Sequence, residues 1–382
     1  MFTDKQMTQR ERFINVMEYR PVDRAPNHEV GVWAQTKERW KKEGMNEFSI
    51  QWDWFTGDEY FEMDTREFFD VNFGMMPDFG YTLLDKTEWY EIFRDSGGIV
   101  RKALIDGTVD GMRSSMDTYL SFPVENAGDF RELKKRYEAG LNGRYPAGWR
   151  EISLPNWKNR KHVLILGRNC STAGFYWRCR EWMGTENLSY AFYDQPDLVR
   201  EMMEFIADFT IETSKKALAE SDFDYVMLSE DMSMKTGPLI GPESYKEFIY
   251  PHMRRLTDFY KSHGVKYVFV DTDGNCEALL PLLMDAGVDG IWPLERVAGM
   301  DPVRIREKFG KGLRLMGGVD KMEIAKGKQA IEKHLAALAP LIEEGGYIPT
   351  VDHLVSPEVS WEDFQYYMKR KMDLLSGRPV SE

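Results

Sequence analysis

The sequence predicts an α/β fold: a (β/α)8 barrel formed as a single domain over residues 1–382. Three observations predict it. From about residue 160 onward, short apolar runs alternate with helical patterns in six successive units. The apolar runs are continuous, as expected of parallel strands covered on both faces. Two earlier stretches, APNHEVGVW at 25–33 and FFDVNFG at 68–74, would raise the count to eight units, which closes a barrel. A doubly wound open sheet is the competing arrangement. It is disfavoured because no glycine-rich phosphate-binding turn follows an early strand.

The units follow in order. Residues 162–167 form a strand, and 196–221 a long helix with Pro196 in its first turn and Asp194 as its cap. Strands at 224–229, 266–271, 288–293, 313–318 and 347–352 are followed by helices at 242–264, 277–287, 301–310, 328–346 and 361–377. Between residues 81 and 124 the pattern changes. TEWYEIFRDSGGIVRKAL reads as an antiparallel hairpin with a Gly-Gly turn. It is expected as an insertion in the N-terminal part of the barrel.

Composition limits the partners. The formal net charge is −13, which disfavours nucleic acid and anionic membranes. Three cysteines, Cys170, Cys179 and Cys276, make no disulfide framework. The N-terminal stretch is too polar for a signal peptide, and no apolar run is long enough to span a bilayer. The expectation is a soluble cytoplasmic protein.

In such a barrel the chemistry sits at the carboxyl ends of the strands. There the sequence places Arg168 and Asn169, then Glu230 and Asp231, Asp271 and Asp273, Glu295, Asp320 and Lys321, and Asp352 and His353. Polar strand ends are ordinary singly, but here six in a row are polar and most are acidic. Carboxylates converging on one mouth repel, so some must stay protonated or share a cation. That cation is a metal ion, or Arg168 and Lys321. Carboxylates with one imidazole suit Zn²⁺, while Fe²⁺ and Mn²⁺ are also compatible. Each residue also has a plainer role open to it. Asp271 can cap the next helix, Asp273 with Gly274 can form a turn, and Glu295 can pair with Arg296. Glu230 and Asp231 can pair with Lys235, and His353 can be a solvated loop residue.

Several stretches carry a family resemblance: SEDMSMKTGPLIGPESYKEFIYPHMRRLTDFYKSHG, DTDGN, AGVDGIWPLE, LMGGVDK and GGYIPTVDHLVSPEVSWEDF, with RERFINVMEYRPVDRAP near the start. In order and spacing they resemble the uroporphyrinogen decarboxylase superfamily, and within it the corrinoid-dependent methyltransferase branch. True decarboxylases grip propionates with an N-terminal arginine cluster, and EVGVWAQTKERW lacks one. Thiol-methylating members hold zinc with a His-x-Cys pair after the fifth strand and a later Cys. Here those places are similar to Asp271, Asp273 and a position at or beside His353, with Glu295 in the place of a further ligand.

The change from sulfur to oxygen ligands suits an oxygen substrate. The resemblance therefore implies a methyltransferase of the O-demethylase type. It would take a methyl group from an aromatic methyl ether to cobalamin carried by a partner corrinoid protein. The expected metal ligands for a bound Zn²⁺ are Asp271, Asp273, Glu295 and His353. Glu230 or Asp231 is the expected proton donor. Arg168, Asn169, Trp33, Tyr176, Trp177 and Lys321 are expected around the substrate. A decarboxylase of another carboxylated substrate and a non-catalytic binding protein are the alternative readings. Members of the superfamily are often homodimers.

Overall fold

The computed structural model describes residues 2–46, 59–109, 112–113, 116–167, 172 and 174–378. Its centre is a curled parallel sheet of seven strands: β1 (Arg66–Phe69), then β6 (Val163–Leu166), β7 (Tyr225–Ser229), β8 (Tyr267–Asp271), β9 (Gly290–Trp292), β10 (Arg314–Met316) and β11 (Tyr347–Ile348). Every neighbouring pair is parallel. The missing numbers are the strands of the insertion: β2 (Thr82–Lys86), β3 (Tyr90–Arg94), β4 (Val100–Leu104) and β5 (Thr118–Ser121).

The eighth place is filled without a regular strand. The backbone N–H of Asp64 donates to the Asn27 carbonyl at 2.9 Å, and Val355 N–H donates to the Gly31 carbonyl at 3.0 Å. Val32 and Val355 form a parallel bridge. The segment from Asn27 to Trp33 thus lies between the last strand and the first and closes the ring. Its hydrogen bonds go partly to side chains, which is why it is irregular: Val351 N–H donates to the Glu29 carboxylate at 2.8 Å.

Side-chain alternation then decides what faces the lumen. On β7 those residues are Tyr225, Met227 and Ser229, and register pairs them with Tyr267, Phe269 and Asp271 of β8. Asp271 in turn pairs with Trp292 of β9. Phe13, from the helix Gln9–Met17, plugs the floor. Its ring stacks on Tyr225 at 5.4 Å and meets Tyr267 edge-on at 6.1 Å.

β2 to β5 form an antiparallel sheet in the order of the chain. The Gly97–Gly98 turn joins β3 to β4. Gly98 has φ +86°, and a Cβ there would stand 2.8 Å from the Phe79 ring, so glycine is required by both backbone and space. This sheet leaves the barrel at the carboxyl end of β1, on the mouth side. The helix Pro196–Glu220 begins at Pro196 as expected, but its N-cap is Gln195 and no side chain caps it, so Asp194 does not take that role. Among the described residues no helix is long and apolar enough to cross a membrane.

Candidate active site

Four acids at the carboxyl ends of β7, β8 and β9 gather with one imidazole that follows β11. His353 Nε2 lies 3.4 Å from Asp273 Oδ2. Glu295 accepts the backbone N–H of Gly274 at 2.8 Å, which draws its carboxyl back over the β8 loop. Asp271 accepts from the Ser229 hydroxyl at 3.0 Å. The loop is fixed by Gly274, with φ +74°, where a Cβ would lie 2.7 Å from the Met234 backbone. Trp33 is beside the imidazole, with ring centroids 6.2 Å apart.

The charges act on one another. Burial pushes the Asp271 carboxyl well above the usual carboxylate range, and the negative Asp273 adds to it. Glu295 is raised for the same two reasons in the same order, and Asp231 is raised chiefly by burial. For His353 burial favours the neutral ring, but the bond and charge of Asp273 outweigh it and its pKa is raised. The cluster therefore holds protons that isolated side chains would release.

The plainer roles can now be judged. Asp271 caps no helix, since its carboxylate is bound to Ser229. Glu295 does not pair with Arg296, which is taken by Asp301 at 2.6 Å. Asp231 pairs with Arg180 and not with Lys235. Arg180 also lies over the Trp177 ring, 5.2 Å from its centroid. Lys321 is held by Asp352 at 3.2 Å, and the Arg296 N–H donates to the other Asp352 oxygen at 3.0 Å. Asp352 is thus a buried bracket that sets the loop carrying His353, while Lys321 still acts on His353 and Glu295 by charge.

Two expected site residues are withdrawn from the mouth. Glu230 is fully buried, and its two oxygens accept the N–H groups of Phe175 at 2.9 Å and Tyr176 at 2.7 Å. It closes the N-terminus of the helix Phe175–Met183 and cannot reach a substrate as a proton donor. Gly174 makes room for it, since a Cβ there would meet the carboxyl carbon at 2.2 Å. Tyr176 is fully buried too. Sequence alone placed both at the mouth because both flank strand ends. Arg168 and Asn169 lie outside the described residues. Sequence reasoning passed over Arg180 and Ser229, whose signals were a helical i+3 step from Trp177 and the last strand residue facing the lumen.

Burial raises the Glu230 carboxyl to about 7, which gives a stability prediction. An acid whose folded pKa is raised binds more protons folded than unfolded, so stability falls as pH rises between about 4.5 and 7. The cost is up to about 3 kcal/mol. Glu230→Gln is expected to flatten that part of the profile, read as urea midpoints at pH 5 and pH 8 relative to the parent protein. Equal slopes for both proteins would show that Glu230 folds already ionised.

The zinc expectation can be tested on the donors. Two ligands on one tetrahedral zinc stand about 3.4 Å apart, and Asp273 and His353 have that separation. Among the described residues, however, no three His, Cys, Asp or Glu side chains are gathered so as to hold one ion. A pair fits, and a full set does not.

The sequence model of the family described as uroporphyrinogen decarboxylase (URO-D) matches residues 179–371. Among solved structures, a methyltransferase from Methanosarcina mazei shares the fold, with a TM-score of 0.59 and 13% identity over 95% of this chain and 98% of that one. A B12-independent methionine synthase from Shewanella sp. W3-18-1 aligns with a TM-score of only 0.37 and 10% identity, over 99% of this chain and 96% of that one, and carries no weight here. No curated protein sequence matches the chain. The family match spans just over half of the 382 residues and includes β7 to β11 and the whole acid cluster with His353; the chain belongs to the uroporphyrinogen decarboxylase family.

Proposed function

We propose that the chain is a methyltransferase that moves a methyl group from a methoxylated aromatic compound to the cob(I)alamin of a separate corrinoid protein. The observation that carries this reading is the cluster of Asp271, Asp273, Glu295 and His353, with Trp33 against the imidazole, at the mouth of a barrel of this family. The fold shared with the Methanosarcina mazei methyltransferase agrees with it.

An aryl methyl ether resists cleavage because the departing phenolate is a poor leaving group. The docked corrinoid supplies the nucleophile for the methyl carbon. The chain must then stabilise the oxygen left behind and hold the ring. Glu295 is the group best placed to deliver a proton to the phenolate oxygen as the C–O bond breaks. It is half-buried, its pKa is raised by burial and by Asp273, and only one of its oxygens is drawn to Gly274. The Asp273–His353 pair sets the charge around it. Trp33 and Trp177, both half-buried near the cluster, offer flat faces for the substrate ring.

Zinc belongs to the proposal through Asp273 and His353, and bound there it would supply Lewis acidity towards the ether oxygen. No step above depends on it, because among the described residues a third ligand is not in place.

The test is a screen of methoxylated aromatics with a reduced corrinoid protein, followed by the cobalt absorption change, with zinc measured on protein purified without chelator. We expect turnover, and loss in a folded His353→Ala variant both of turnover and of whatever zinc Asp273 and His353 hold. Turnover by zinc-free protein would remove the ion and leave the carboxyl chemistry. No substrate consumed would sink the reading and favour a binding protein.

A further inference from the structure

Beneath the acid cluster the barrel is not filled. A cavity of about 30 Å³ lies in the lumen, lined by His28, Arg66, Tyr225, Met227, Trp292 and Met316 among others. Barrels of this kind are normally packed solid by layers of inward side chains. That volume holds about two water-sized atoms.

His28 is the unusual wall. It is 1% exposed, and neither ring nitrogen has a hydrogen-bond partner. Orphaned polar atoms in a dry interior are costly, so they point to a ligand or to bound water. The ring is held where it is by its own backbone, whose carbonyl accepts from Lys371 Nζ at 2.6 Å. Next along the chain, Glu29 turns the other way, to Val351, Tyr367 and Lys371. His28 and Val30 are thereby left facing the lumen.

The charges around this ring are mixed: Lys371 is paired with Glu29, and Arg12 and Arg24 with Asp64. Burial is the main cause of its low pKa, and the charged groups acting on it after that are Arg66, Lys371, Arg24 and Arg12, all cations. Arg66 reaches the same cavity, donating to the Glu29 carbonyl at 2.6 Å. An anion in the cavity would meet the Arg66 guanidinium on one side and find a ring N–H of His28 ready to donate on the other.

We propose that the lumen is a carboxylate pocket, in which the two oxygens of a substrate carboxylate sit against His28 and Arg66 while its ring rises towards the acid cluster. This rests on the reading of the chain as an aryl-ether methyltransferase, and it narrows the substrate to methoxylated aromatic acids. Phe13 closes the floor, so entry is from the mouth. Tyr225 and Ser229 are four residues apart on β7, about 13 Å along the strand, and Ser229 holds Asp271 at the top. That span suits one aromatic ring with a substituent at each end. Met227 and Met316 flank the path, and their flexible side chains can make way for the ring.

The test needs no corrinoid protein and no turnover. Benzoate is titrated into the protein, with anisole as the uncharged control, by calorimetry and by NMR of its six labelled histidines. Benzoate is expected to bind, to move one buried imidazole towards the protonated form, and to lose about tenfold or more in affinity in His28→Ala. Anisole is expected to bind much more weakly. If benzoate moves no histidine, or binds His28→Ala equally well, the cavity holds water only and the pocket is refuted, while methyl transfer is left standing. Should His28→Ala fail to fold, the titration of the unaltered protein decides. Binding of benzoate with no methyl transfer from any methoxybenzoate would uphold the pocket and count against the reaction.

Discussion

Glu295→Gln is expected to slow methyl transfer by about 10² to 10⁴-fold, the range a positioned general acid supplies, and to change how the rate depends on pH. In the parent protein the useful form of Glu295 is the acid. Burial and the charge of Asp273 raise its pKa, so the rate should hold at low pH and fall as pH rises through that raised value. Glutamine keeps the shape and the acceptor for Gly274 but has no proton to give, so the falling limb should disappear. His353→Ala makes the opposite change. His353 lowers the pKa of Asp271, Asp231 and Glu295 by charge, so removing it should move the limb to higher pH while the rate drops. Single-turnover rates over a pH series with a fixed corrinoid protein separate the two. If Glu295→Gln keeps both rate and limb, another group delivers the proton, and Asp271 is the next to test.

The barrel was legible in the sequence because its evidence is periodic. Runs such as Val163 to Leu166 and Tyr267 to Asp271 are fully buried in the structure, as their unbroken apolarity implied. The closing segment was only half legible. Residues 25–33 were read as one more unit of the barrel, yet this segment is tied to its neighbours through its own Glu29 carboxylate and a single bridge, and no propensity encodes such pairings. At the mouth, position was legible and direction was not. Glu230 and Asp231 are neighbours in sequence, but Asp231 has φ +36°, a strained conformation for a residue with a side chain. One carboxylate goes inward to cap a helix, and the other goes outward to Arg180. Which goes where depends on Gly174, more than fifty residues earlier, having no side chain. The place of Trp33 at the mouth, beside His353, was legible because an aromatic residue at a strand end is a local signal. Arg180 was not, because it lies inside a helix and reaches the site only through the fold.

The largest loss of stability is expected where the ring closes. Glu29 and Lys371 are 1% and 0% exposed and pair at 2.6 Å, with Tyr367 also bound to Glu29. Glu29 comes from the closing segment and Lys371 from the helix Trp361–Leu375, so the pair ties the two ends of the barrel together. Glu29→Gln preserves the shape but leaves an ammonium buried without its counter-charge. That costs about 3 to 5 kcal/mol, readable as a lower urea midpoint. Burial already lowers the Lys371 pKa, and losing Glu29 lowers it further. The ammonium can then shed its proton, so the deficit should shrink as pH rises. Lys371→Met in the same chain removes the stranded charge, and the double variant is expected to be more stable than Glu29→Gln alone. If Glu29→Gln costs nothing at pH 7, the pair does not hold the ring shut. The place of His28 beneath the mouth, and of Trp33 beside His353, would then have to come from the backbone bonds of Asn27, Gly31 and Trp33 and the apolar packing of Val30 and Val32.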